Sequence, residues 1–182
     1  ADCNAPPAPL SDCRGGASIC DAQSFNASPS NTGLVADLGV QSRGCLASSE
    51  RQGLWYNFTP SSSGTVAFTI APNNATDDYD FAVWGPFSTV DCINKGAPLR
   101  CSYSGLSGNT GLQVGAGDDS EDGGGNKWVN ALTVNAGEVY ILYISNYSLS
   151  GLAFDLPWQL TNGADLDSSG LPVEHAALEA RP

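Results

Sequence analysis

Apolar residues recur at every second position in stretch after stretch of this chain. Residues 65–70 set Val66, Phe68 and Ile70 on one side and Thr65, Ala67 and Thr69 on the other, the period-two pattern of a strand with one buried face. Residues 77–87 hold a strand with two unlike faces, Tyr79, Phe81 and Val83 against Asp80, Ala82 and Trp84, and Gly85-Pro86 is expected to end it because Pro cannot donate to a ladder. Further strands are expected over residues 33–40, 54–59, 112–114, 128–134 and 151–161. In the last of these Leu152, Phe154, Leu156, Trp158 and Leu160 share a face. Residues 139–145 are the most apolar strand and are expected at the centre of a sheet. No segment carries sustained helical periodicity. Short strands with turns at regular spacing predict an all-β fold, an antiparallel β-sandwich.

At 182 residues the chain is sized for one such domain, over residues 33–162. An arm over residues 1–32, rich in Ala, Pro, Ser, Asn and Asp, precedes it, and a polar linker with a short extra element follows over residues 163–182. Methionine is absent even at position 1, so a processed N-terminus with an export signal removed is expected. Six cysteines without a C-x-x-C pair, and a single histidine, favour a disulfide framework over zinc. Local spacing favours Cys92–Cys101; Cys20 is then paired with Cys45 and Cys3 with Cys13, tethering the arm. An extracellular address follows.

The formal charge of −12 comes from 19 acidic and 7 scattered basic residues. Phosphate backbones need clustered Lys and Arg, so no nucleic-acid partner is expected. No apolar run approaches a membrane span, so no membrane insertion is expected either. The acid is concentrated in two loops. Asp77, Asp78 and Asp80 lie at the mouth of one strand, and Asp118, Asp119, Glu121 and Asp122 lie in a glycine-rich loop. Carboxylates massed in this way suit Ca²⁺, which takes six to eight oxygen ligands. The plainer reading is two solvated acidic turns.

No enzyme is expected, because His175 is the only histidine and lies in the tail, which removes Ser–His–Asp and Cys–His arrangements. Trp55, Tyr56, Trp84, Trp128, Tyr143, Tyr147 and Trp158 are candidates for a sugar platform, although aromatics on strands usually belong to a core. Sequons at Asn26, Asn74 and Asn146 are candidate glycosylation sites, and a fourth, at Asn57, falls inside a strand.

Several stretches together resemble a known family. They are residues 55–60 with 63–66, residues 78–87, Cys101-Ser102-Tyr103-Ser104 and residues 137–148. They resemble the β-sandwich surface domains of gliding-type bacteria, exported by the type IX secretion route. Those domains are similar to pre-peptidase C-terminal domains, which are jelly-roll-like. The resemblance covers residues 12–162 and implies a bacterial cell-surface location. The tail, Leu171-Pro172-Val173-Glu174 and Leu178-Glu179-Ala180, looks like the opening strand of a following domain. Relatives carry a cysteine after the Leu-Asp of this region, where Ser168 stands here; that implies another partner for an N-terminal cysteine.

The resulting expectation is a non-catalytic structural or adhesive module, disulfide-stapled, that self-associates as a surface filament by terminal strand exchange. Val173, Glu174, Ala176, Leu178 and Ala180 are the expected assembly residues. The alternative is a calcium-assisted carbohydrate-binding module with a glycan partner.

Overall fold

The structure, a computed structural model, describes residues 10–48 and 50–166. Among them the only helical element is one 3₁₀ turn, Cys13–Gly15. Thirteen strands follow: β1 (Ala17–Ile19), β2 (Asn26–Ala27), β3 (Gln52–Phe58), β4 (Gly64–Pro72), β5 (Tyr79–Phe87), β6 (Arg100–Ser102), β7 (Thr110–Gln113), β8 (Ser120–Glu121), β9 (Trp128–Asn130), β10 (Leu132–Val134), β11 (Val139–Asn146), β12 (Phe154–Asp155) and β13 (Trp158–Thr161). They form a sandwich of two mixed sheets. One sheet runs β1-β3-β11-β5-β6-β8; the other runs β2-β12-β4-β7-β9, with β10 and β13 also on β4. Most pairs are antiparallel; β1–β3, β6–β8 and β7–β9 are parallel.

The most apolar strand, β11, lies between β3 and β5, as its composition predicts, with Leu142 opposite both Tyr56 and Val83. Alternation then sorts the side chains. Tyr56, Phe58, Phe81, Val83, Leu142 and Ile144 face the second sheet and meet Val66, Phe68 and Ile70 of β4. Phe68 and Phe81 join the sheets edge to face at 5.4 Å. Each such buried side chain contributes roughly 1.5–3 kcal/mol relative to exposure. Gly111 of β7, at φ +150°, lies where a Cβ would stand 2.2 Å from the Phe68 carbonyl oxygen, so the close approach of β7 to β4 requires glycine.

The opposite face of the β3-β11-β5 sheet is also buried. Trp55, Ala82, Trp84, Ile141 and Tyr143 pack there against Leu46, Cys13 and Cys101. The cover is irregular chain, residues 33–48 and 88–99. Two disulfides fasten it, Cys13–Cys92 and Cys45–Cys101, each with Cα atoms 5.8 Å apart. These pairs replace the expected ones. Cys101 sits in β6 opposite Ala82, beneath the segment that carries Cys45. Cys92 lies in the loop that reaches back to Cys13. Nine residues of separation therefore do not bring Cys92 to Cys101. Cys20 is disulfide-bonded, though not to Cys45. Cys3 lies outside the described residues, and its expected partner Cys13 is taken.

Five further expectations change. Residues 33–40 form no strand; Leu34 is 99% exposed, so their alternation has no sheet to face. β5 does not end at Gly85-Pro86 but runs on to Phe87. Its register with β11 skips opposite Tyr140, and the proline falls within that bulge, where no ladder bond is missed. Residues 128–134 divide at Ala131 into β9 and β10, which pair with β7 and β4 respectively. Residues 151–161 divide likewise at Leu156-Pro157. The arm is drawn into the sandwich, β1 at the edge of one sheet and β2 at the edge of the other.

Candidate functional site

The two acidic loops do come to the same corner of the molecule, because β6 lies beside β5 and its continuation pairs with the second loop. Tyr103 N–H donates to Glu121 O, and Gly105 N–H to Gly123 O. Most of the carboxylates are nevertheless committed elsewhere. Asp77, buried, accepts from Asn74 Nδ2 at 3.0 Å and from Ser150 Oγ, which ties two turns together. Asp119 pairs with Arg100 at 3.4 Å and accepts from Asn130 Nδ2 at 3.0 Å. Glu121 accepts from the Asn126 N–H and Asp122 from the Gly124 N–H, both at 2.9 Å. Asp118 offers its carbonyl to Asn130 N–H. Asp77, Asp119, Glu121 and Asp122 thus each hold hydrogen bonds of their own. Among the described residues no three His, Cys, Asp or Glu side chains stand together as a metal-holding group.

Asp78 and Asp80 are different. Two residues apart at the mouth of β5, they share a face and line a cavity of about 190 Å³ with Tyr103, Tyr147, Gly105 and Gly123. Asp80 is 3% exposed. Burial, and then the Asp78 charge, push its carboxyl up to about 8, with Arg51 opposing. Burial also raises Asp78, with Lys127 opposing. Both nearby cations are held by backbone carbonyls. Arg51 Nη1 donates to Tyr147 O at 2.9 Å while its guanidinium lies 4.0 Å from the centre of the Tyr147 ring. Lys127 Nζ donates to Ser107 O at 2.6 Å. Tyr103 and Tyr147 meet nearly at right angles, 5.7 Å apart.

A second feature lies on the irregular cover. An open cleft of about 850 Å³ runs between residues 35–42 and 92–96, with Val35, Val40 and Ile93 exposed along it. Beneath it Lys95 is buried. Its Nζ donates to the Asp37 and Cys92 carbonyls and lies 5.2 Å from the Trp55 ring centre. Glu50 accepts the Asp37 N–H at 2.9 Å, and burial, then the Asp37 charge, raise its carboxyl to about 7.

The aromatic candidates divide by position. Trp55, Tyr56, Trp84 and Tyr143 are at most 1% exposed and belong to the two cores. Tyr147, Trp128 and Trp158 remain half-buried. Of the sequons, Asn26 is exposed, while Asn57 and Asn74 are half-buried. Asn146 is fully buried and its amide nitrogen donates to Tyr79 Oη and Ser150 Oγ, so the folded chain leaves no room there for a glycan. Val173, Glu174, Ala176, Leu178 and Ala180 lie outside the described residues. Sequence reasoning missed Tyr103, Gly105, Gly123 and Lys95. Their roles depend on which strand lies beside which, and composition carries no such signal.

No helix among the described residues is long and apolar enough to cross a membrane. No family model, curated protein or solved structure matches the chain.

Proposed function

We propose that the chain is a non-catalytic extracellular structural or adhesive module, a surface-filament or assembly subunit of the kind its resemblance to gliding-type surface domains implies. One observation carries this reading. Strand β13 pairs with β4 on one side and, among the described residues, with no strand on the other. Its Trp158 and Leu160 are half-buried, and Trp158 Nε1 is buried without a hydrogen-bond partner. An open edge beside apolar side chains suits addition of a strand from another copy. The terminal segment at residues 173–180 is the proposed donor; head-to-tail addition does not close and gives filaments. The two long-range disulfides fit an oxidising, extracellular setting.

Light scattering and electron microscopy of the full chain and of a chain lacking residues 170–182 test the reading. The full chain is expected to form filaments and the shortened chain to stay monomeric with an unchanged β-type circular dichroism spectrum. The same filaments from the shortened chain would exclude terminal strand exchange. The second reading, a calcium-assisted carbohydrate-binding module, is favoured by the half-buried Tyr103–Tyr147 pair beside the acidic cavity.

A further inference from the structure

We infer that the cavity at the mouth of β5 is a cation site. Asp78 and Asp80 are its charged ligands, the Tyr103 and Tyr147 phenols and the Gly105–Gly123 backbone complete its oxygen lining, and Ca²⁺ is the ion that fits it. The site is far smaller than the seven-residue cluster expected from the sequence, and it uses none of the second loop's carboxylates.

Both aspartate side chains lack partners. Asp80 is 97% removed from solvent, its exposure being 3%, yet its carboxylate accepts no hydrogen bond from any described residue and lines the cavity. Asp78 Oδ1 is likewise buried without a partner. Buried carboxylates are ordinarily paired or hydrogen-bonded, because an uncompensated charge in such a place is costly. The neighbouring carboxylates show the contrast: Asp77, Asp119, Glu121 and Asp122 each accept hydrogen bonds from groups beside them. The two cations within electrostatic reach, Arg51 and Lys127, make no ion pair with either group and are spent on the Tyr147 and Ser107 carbonyls. The corner thus holds two carboxylates on one wall with no counter-charge bonded to them.

The lining selects the kind of ion. Its lining residues are two aspartates, two tyrosines and two glycines, with neither imidazole nor thiolate, which suits a hard cation rather than zinc or copper. A volume of about 190 Å³ leaves room for an ion with several waters, each occupying roughly 30 Å³ in the liquid. An irregular cage of loop backbone and water accommodates Ca²⁺ more readily than Mg²⁺, which demands near-ideal octahedral geometry. Two carboxylates make a weak site, in the range of about 10⁻⁴–10⁻³ M typical of extracellular modules.

Thermal melting of the full chain with millimolar Ca²⁺, with Mg²⁺ at matched ionic strength and with chelator tests the site. The melting temperature is expected to keep rising with Ca²⁺ once the ion exceeds its dissociation constant, and to respond little to Mg²⁺. Asp80→Asn should lose the Ca²⁺ response, and Asp122→Asn, outside the cavity, should keep it. Terbium provides a readout on the unaltered chain: Tyr103 and Tyr147 should sensitise its luminescence, and Ca²⁺ should displace it. The inference is overturned by a melting curve indifferent to millimolar Ca²⁺ together with no displaceable terbium signal, or by an Asp80→Asn chain that still responds. Higher melting on acidification with no Ca²⁺ response would identify a proton-sharing acid pair instead. Filament formation is scored separately, so this test and the assembly test fail independently.

Discussion

The β3-β11-β5 sheet has two buried faces, and they are held in different ways. The inner face meets a second sheet, and its core is almost wholly apolar, with Phe58, Phe68, Phe81 and Ile144 at 0–1% exposure. The outer face meets irregular chain, and its core mixes stacked Trp55 and Trp84 with buried Lys95 and the Asp37–Glu50 contact. Both described disulfides lie on that side. A strand covers a sheet with a regular row of side chains and saturates its own backbone through the ladder. Loop chain rich in Gly, Ser and Asp does neither, so it is held by covalent links and by an ammonium group that satisfies backbone carbonyls. The extra layer is therefore a stapled lid on a sandwich rather than a third sheet.

Removing the staples should separate the two layers most. Each disulfide spans a long loop, 79 and 56 residues, and in the chain-entropy model each is worth about 4 kcal/mol taken alone. Hydrogen exchange on the Cys13→Ser/Cys92→Ser/Cys45→Ser/Cys101→Ser chain should show residues 33–48 unprotected while amides of β4 and β11 stay the slowest to exchange. Equal loss in both layers would refute the separation. Phe68→Ala comes next. It opens the inner core and should cost about 3–4 kcal/mol in denaturant unfolding, with the disulfides intact.

Lys95→Met is a smaller, outer-face change. It leaves the Asp37 and Cys92 carbonyls short of a donor and should cost about 1–3 kcal/mol; a stabilised variant would show that the lid does not need the ammonium. The smallest effect is the pH response of Glu50. Burial, then the Asp37 charge, raise its carboxyl from the ordinary 4.5 to about 7, so the folded state holds the proton more tightly. Its contribution is fully present below about 4.5, declines as pH rises to about 7, and is flat beyond. The melting temperature of Glu50→Gln, compared with the parent across that window, should lack this decline.

What could be read in advance follows the same division. The inner face was legible because alternation is local: residues 65–70 and 79–84 announce their buried side by themselves. β11 announced its central place by being apolar on both faces. The lid was not legible. Leu34, Ala36 and Leu38 alternate with Val35 and Asp37 as a strand would, yet the segment forms no strand, and Leu34, Val35 and Val40 stand 57–99% exposed. Cysteine partners depend on which loops cross above the outer face, so spacing misassigned them. The acidic corner was half legible. Asp80 stood out as a charge opposite a core residue, whereas Tyr103 and Gly123 reach it only through the pairing of β6 with the second loop.

The two disulfides also interlock, since residue 45 lies inside the 13–92 loop and residue 101 outside it. Under tension this matters more than either bond alone. A pull that reaches Cys13 passes directly to Cys92 and on along the chain to Cys101, so the chain between Cys13 and Cys92 is bypassed. Should that bond open, the Cys45–Cys101 link still withholds the chain between those two residues, so neither break alone frees the whole of residues 13–101.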